Sequence, residues 1–361
     1  MNRISIAFIS LFLSLNTIVV HGEDSLRTNM NHFGEDVIRR FRERVDSMMN
    51  VYHIPGLQLA IIHREEIVCS ESFGWADRYA GVPVSEKSLF RIASISKPIT
   101  MVAILKLLEE NKLTTEQLVF GAGGILSSEY EIPDNEWVKQ ITIRHLLDHK
   151  SGWTNEPNDP MFWNTSMTQQ QVIQQLLTTR PPKNEPGTQT SYSNFGYCLL
   201  GRVIEKISGM TYEAYVRQEI LLPCGITEMT IAGDTFEDRQ PNEVAYFSQE
   251  RTTAYQMAVR RMDSHGGWIA SAVDLMRLLM HIDRNTKVKD LITEQSMTGS
   301  YLAFHTWVHT GSLPGTSTIL VRKDNEWGYA VLVNTRTFPI DNIFNDIQFI
   351  MNDVFIYTKQ D

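Results

Sequence analysis

The run Ile99-Thr100-Met101-Val102-Ala103-Ile104-Leu105-Lys106-Leu107-Leu108 constrains this chain more than any other stretch. It is apolar at nearly every position, and a helix that is apolar all round is buried rather than laid on a surface. Pro98 just before it is tolerated in a first turn, where its missing N–H would have no partner anyway. The helix is therefore expected to begin near Ser94. Ser94 and Lys97 form the one S-x-x-K of the sequence, and residues three apart share a helix face, so Lys97 can point at Ser94. The unpaired N–H groups and the positive dipole end gather there too, which suits a developing oxyanion. A serine hydroxyl needs a base within reach, and a lysine becomes one when burial or a nearby cation lowers its pKa. By itself the motif is better read as a capping serine and a surface lysine on a core helix. Its company further along the chain changes that weighing.

Of the 361 residues, 42% are hydrophobic and 21% charged, which suits a globular protein of enzyme size in one large domain or two. A formal net charge of −9 argues against nucleic acid as the main partner. Residues 1–22 read as a secretory signal peptide. Arg3 gives a basic start, Ile4 to Val20 is almost uncharged and apolar, and Val20-His21-Gly22 offers small or β-branched residues at −3 and −1. The apolar run nears spanning length, which leaves an uncleaved signal anchor open, whereas a mitochondrial presequence would be Arg-rich and amphipathic. The protein is expected to be secreted or to occupy the lumen of the secretory or lysosomal route, with no stable membrane insertion after signal removal. Asn164-Thr165-Ser166 is a sequon that fits that route and makes Asn164 the candidate glycosylation site. Cys69, Cys198 and Cys224 are too few for a disulfide framework. They read as small buried hydrophobes, although one pair and one free thiol stay open.

Val37, Ile38, Phe41, Val45 and Met48 recur at helical spacing and predict an amphipathic helix over residues 35–50. Leu57 to His63 and Ile67 to Phe73 read as two strands joined at Glu65-Glu66. His145 and His149 lie four apart, as two metal ligands on one helix do, but the Glu of H-E-x-x-H is missing and no third ligand stands out. No metal is expected. Asp263-Ser264-His265-Gly266-Gly267 has the wording of a lipase oxyanion loop, a reading that fails because no G-x-S-x-G occurs. Residues 271–281 predict a helix, Thr316 to Arg322 and Trp327 to Asn334 a second pair of strands, and 341–357 a closing helix.

Two further stretches carry chemistry. Tyr192-Ser193-Asn194 precedes a helix that runs through Ile207 and is stopped by Gly209. His309-Thr310-Gly311-Ser312 precedes the second strand pair. Taken in order, S-x-x-K, Y-x-N and H-T-G resemble the serine β-lactamase and penicillin-binding family, specifically its class C β-lactamase-like, D-alanyl-D-alanine carboxypeptidase-like branch. The wording Arg91-Ile92-Ala93-Ser94-Ile95-Ser96-Lys97 looks closest, among animal proteins, to the serine β-lactamase-like branch of mitochondria. The resemblance runs from about Val37 to Phe355 and takes in Ile54-Pro55-Gly56, Arg144-His145-Leu146-Leu147 and Gly266-Gly267. The chain departs from it in a short stretch between Asp283 and His305 and in Cys224, where members usually have Leu.

That resemblance implies an α/β (α+β) fold, a five-stranded antiparallel sheet flanked by helices beside a mainly helical lobe. Residues 23–361 would form one β-lactamase-related domain, with the sheet lobe from about 35–109 and 263–361 and the helical lobe at about 110–262. It implies Ser94 as the acylated nucleophile, Lys97 as its base and Tyr192 as the proton relay to the leaving group. Asn194 would hold the substrate amide and Lys97. His309, Thr310, Gly311 and Ser312 would line the substrate, with the N–H groups of Ser94 and Ser312 as the oxyanion hole. The function implied is a serine hydrolase acting on an amide or ester, a small molecule or a peptide, with no cofactor. The alternatives are a catalytically idle binding protein with the same cleft, and a structural protein that self-assembles into filaments. His309 stands where many members carry Lys. With an ordinary pKa of about 6.5 its charge would fade across physiological pH. The preference for anionic over neutral substrates is then expected to fall between roughly pH 5.5 and 8.

Overall fold

The computed structural model describes residues 33–358 apart from Trp163 and Arg251. The expected signal segment, residues 1–22, lies outside the described residues. Among the described residues no helix is long and apolar enough to cross a membrane.

The sheet grows from a hairpin. Strands Gly56–His63 and Glu66–Asp77 are joined by Arg64 and Glu65, both with positive φ, 49° and 58°, the backbone that a two-residue hairpin loop demands if its twist is to match the strands. The second strand runs past the expected Phe73 to Asp77. Strands Trp307–Leu313, Thr316–Arg322 and Trp327–Val333 form the second part, and Trp327–Val333 pairs antiparallel with Gly56–His63, Leu57 opposite Val333 and His63 opposite Trp327. These five strands and the two-residue strand Val82–Pro83 make one antiparallel sheet. Thus both ends of the chain close the expected sheet, with Val82–Pro83 as a short sixth strand. Trp307–Leu313 is an edge strand.

Both faces of the sheet are covered, so its central strands are buried at almost every position. Successive side chains point to opposite faces. Leu57, Leu59 and Ile61 pack with Phe41, Val45 and Met48 of the helix Glu35–Val51 and with Ile343, Phe344 and Ile347 of the helix Ile340–Thr358. Ala60 and Ile62 share the other core with Leu275, Leu278 and Leu279 of the helix Ala272–Met280. Gln58 is polar on that same face and fully buried. It is satisfied by donating to Ser85 O at 2.7 Å and accepting from Ala272 N at 2.6 Å, as a buried amide must be.

That second core continues into the helical part of the chain. The apolar run is the helix Ser96–Glu109, buried at eleven of its fourteen positions. It packs with the helix Asn194–Ser208, which ends at Gly209 in the left-handed conformation (φ 71°). A short sheet ties Phe90–Arg91, ahead of Ser94, to Trp268–Ala270 and thence to Thr230–Ile231. The three cysteines are buried free thiols.

Candidate active site

Ser94 lies in a 3-10 turn, Ala93–Ile95, that leads into the helix Ser96–Glu109. Ala93, just before it, has φ 47°. A left-handed alanine costs on the order of 1 kcal/mol, so the surroundings must impose it. Ile92 N donates to Trp268 O at 2.9 Å, and Ile92 O accepts from Ile95 N and from Thr318 Oγ1, each at 3.1 Å. Arg91, fully buried, anchors the same segment. Its guanidinium donates to Ala254 O (2.7 Å) and Gly233 O (2.8 Å), lies over the Tyr246 ring, and faces Glu243 at 3.6 Å. Removing either partner would strand a buried charge.

Lys97 Nζ stands 3.2 Å from Ser94 Oγ and donates to His265 O at 2.7 Å. The side chain is 1% exposed, and burial pulls its pKa from 10.5 down to about 7, with Asp159 acting against that as a distant negative charge. Sequence reasoning missed the His265 carbonyl as a partner. It comes from a wide five-residue turn, Asp263–Gly267, pinned by Thr100 Oγ1 donating to Ser264 O at 2.6 Å and by Arg202 paired with Asp263 at 2.6 Å. The Gly266-Gly267 wording, part of the family resemblance, marks the turn that supplies this carbonyl.

Tyr192 brings its hydroxyl into hydrogen-bond contact with Ser94, while 44% of its surface stays exposed. Burial of the hydroxyl pushes its pKa well above 10. The ring lies 4.8 Å from Lys97 Nζ and 4.6 Å from the His149 ring. His145 and His149 are not on one helix. The helix stops at Leu147, and His149 follows with φ 56°. His145 serves as the capping partner of Thr142. His149 Nδ1 accepts from Ser193 N at 3.2 Å, which fixes the loop holding Tyr192.

Asn194 opens its helix beside Tyr192, but its amide does not reach for Lys97 as expected. Nδ2 donates to Asp159 Oδ2, and Oδ1 is buried with no hydrogen-bond partner. The physical reason is the 155–162 loop, whose Asp159 carboxylate accepts the amide hydrogen.

The edge strand carries the remaining candidates. Gly311 is obligatory where it stands, because a Cβ there would lie 2.2 Å from Ile92 O and 2.3 Å from Thr318 Oγ1. The strand thereby packs against the turn that bears Ser94, with Ser312 opposite Ser317. Ser312 Oγ accepts from Arg336 Nη1 at 3.2 Å. Thr310 is exposed and His309 half-buried. Burial first, and then Lys97 nearby, lower the His309 pKa to about 3, which favours a neutral imidazole and argues against a preference for anions that fades with rising pH. Asn164 lies elsewhere, exposed in a turn, with its carbonyl accepting from Arg261.

The sequence profile described as Beta-lactamase matches residues 41–346. "Penicillin-binding protein 4*" of Bacillus subtilis (strain 168) is 32% identical over 50% of this chain and 39% of its own length. The chain thus spans about two fifths of that curated relative. Two solved structures share the fold. The octameric penicillin-binding protein homologue from Pyrococcus abyssi has a TM-score of 0.66 at 21% identity, over 85% of this chain and 75% of that one. The D-amino acid amidase from Ochrobactrum anthropi SV3 has 0.71 at 18%, over 88% and 98%.

Proposed function

The chain belongs to the β-lactamase family, and from that membership and the surroundings of Ser94 we propose that it is a serine hydrolase cleaving an ester or amide through an acyl-enzyme on Ser94. One observation carries this reading: a lysine nitrogen 3.2 Å from Ser94 Oγ whose pKa burial has brought to about 7. Such a lysine is neutral often enough near neutral pH to accept the serine proton.

Ser94 Oγ attacks the carbonyl carbon as its proton passes to Lys97 Nζ. The Oγ–C bond forms, and the carbonyl oxygen takes the negative charge between the N–H groups of Ser94 and Ser312. Collapse breaks the bond to the leaving group, which receives its proton through the Tyr192 hydroxyl. That hydroxyl stays protonated until relay is needed, because burial keeps phenolate formation unfavourable. Water then repeats the sequence and frees Ser94.

The test is covalent labelling of purified protein with a fluorescent penicillin and a fluorophosphonate, followed by intact mass and peptide mapping. An adduct on Ser94 that disappears in Ser94→Ala is expected. An adduct on another residue, or equal labelling of Ser94→Ala, would return the cleft to a binding role.

A further inference from the structure

Along the edge strand and the Tyr192 loop, the described side chains that could attract a carboxylate are neutral or paired. His309, in the place of the usual lysine, is neutral, and its Nδ1 faces Thr310 O at 3.3 Å. His149 spends Nδ1 as an acceptor, and burial first, then Lys97 and His309, lower its pKa to about 3. Arg336, beside Ser312, has both oxygens of Glu250 on its Nε and Nη2, so the pair carries no net charge. Lys97 is the base itself.

Asp159 is different. Its Oδ1 accepts from Met161 N at 2.9 Å and its Oδ2 from Asn194 Nδ2; burial raises its pKa above the ordinary carboxylate value, and these donors offset only part of that rise. Lys97 and Arg180 act on it as more distant charges. The loop that holds it is fixed by hydrogen bonds on both sides. Arg180 donates to Asn158 O at 2.8 Å and Thr154 O at 3.2 Å, and Asn155 Oδ1 accepts from Asn194 N at 3.1 Å. Beside the carboxylate, Asn194 is 9% exposed and its Oδ1 lacks any partner. A half-buried carboxylate next to a buried, unused carbonyl acceptor is a receptor for N–H donors that carry positive charge.

We propose that Asp159 and Asn194 bind a protonated amino group of the substrate, so that this cleft selects amino-bearing esters and amides over carboxylate-bearing ones. The inference rests on the hydrolase reading above and names its substrate class. The ammonium donates to Asp159 and to Asn194 Oδ1. A carboxylate brought to the same place meets the like charge of Asp159, and that repulsion is as much a source of selectivity as the attraction. A bound ammonium near Lys97 also disfavours protonation of the lysine, and so keeps the base ready.

Labelling of Ser94 by a neutral fluorophosphonate, at pH 6.5, is measured in competition with phenylalanine amide of either hand, its N-acetyl derivative and its N-succinyl derivative. Protection should weaken by about tenfold or more from the free amine to the N-acetyl compound, and further for the N-succinyl compound. In Asp159→Asn the first ratio should fall to within about twofold, while Asp159→Glu restores part of it. The wild-type ratio stands as a test even if a variant does not fold. A wild-type ratio near or below one, or one that Asp159→Asn leaves in place, overturns the inference and leaves the Ser94 reading intact. Failure of the fluorophosphonate to label Ser94 overturns both.

Discussion

Lys97 and Ser94 meet under unequal conditions: the lysine is 1% exposed, the serine half-open to solvent, and 3.2 Å separates Nζ from Oγ. The nucleophile can be reached while its base is kept out of water. That asymmetry is what lets one short motif hold both a hydroxyl for substrate and an amine with an acid-shifted pKa.

The first consequence is kinetic. Neutral Lys97 is the active form, so kcat/KM should climb with pH through about 7 and then level off. Lys97→Met should abolish acylation of Ser94. A pH profile with no acid limb between 6 and 8 in the wild type would sink the assignment.

The second concerns stability. The folded protein holds Lys97 at about 7 against an ordinary 10.5, so between those values the unfolded chain binds a proton that the folded one does not, and stability rises with pH across that window. Below pH 7 the buried ammonium is a cost, on the order of a few kcal/mol. Lys97→Met should therefore raise Tm at pH 6, with a gain that shrinks toward pH 10. Calorimetry showing an equal or lower Tm at pH 6 would contradict this.

Tyr192 keeps its proton far above pH 7, and its ring is 44% exposed. Tyr192→Phe should lower kcat by roughly 10²–10⁴-fold while shifting stability by less than about 0.5 kcal/mol. Circular dichroism melts beside steady-state rates check both halves, and a large loss of stability would mean a structural tyrosine.

Gly311→Ala places a methyl 2.2 Å from a backbone oxygen, so the edge strand must shift away from Ile92. A destabilisation of about 1–3 kcal/mol is expected, with loss of Ser94 labelling in the protein that still folds. Unchanged denaturant midpoints would show that the strand has slack.

His309, neutral above about pH 3, gives a flat ratio of anionic to neutral substrate efficiency from pH 5.5 to 8. His309→Lys, which restores a cation, should raise that ratio. A wild-type ratio that declines as pH increases would restore the titrating histidine and with it an acidic-compartment preference.

Much of this molecule was legible from the chain alone wherever the deciding interactions are local. Ser94 and Lys97 share a face because three residues of helix put them there. The apolar run from Ile99 dictated a buried helix, Gly209 a stop, and the β-rich run from Leu57 to His63 a strand. The ordering of S-x-x-K, Y-x-N and H-T-G pointed to the sheet and the cleft. What the tertiary structure alone decided depends on residues far apart in the chain. The carbonyl facing Lys97 comes from His265, 168 positions away. Asn194 turned to Asp159 because a loop 35 positions upstream brought the carboxylate to it. The pKa of His309 is lowered by desolvation and by Lys97, a partner 212 positions away in the chain. Local geometry follows from neighbours a turn or two away, whereas desolvation and electric field are sums over everything that packs around a group.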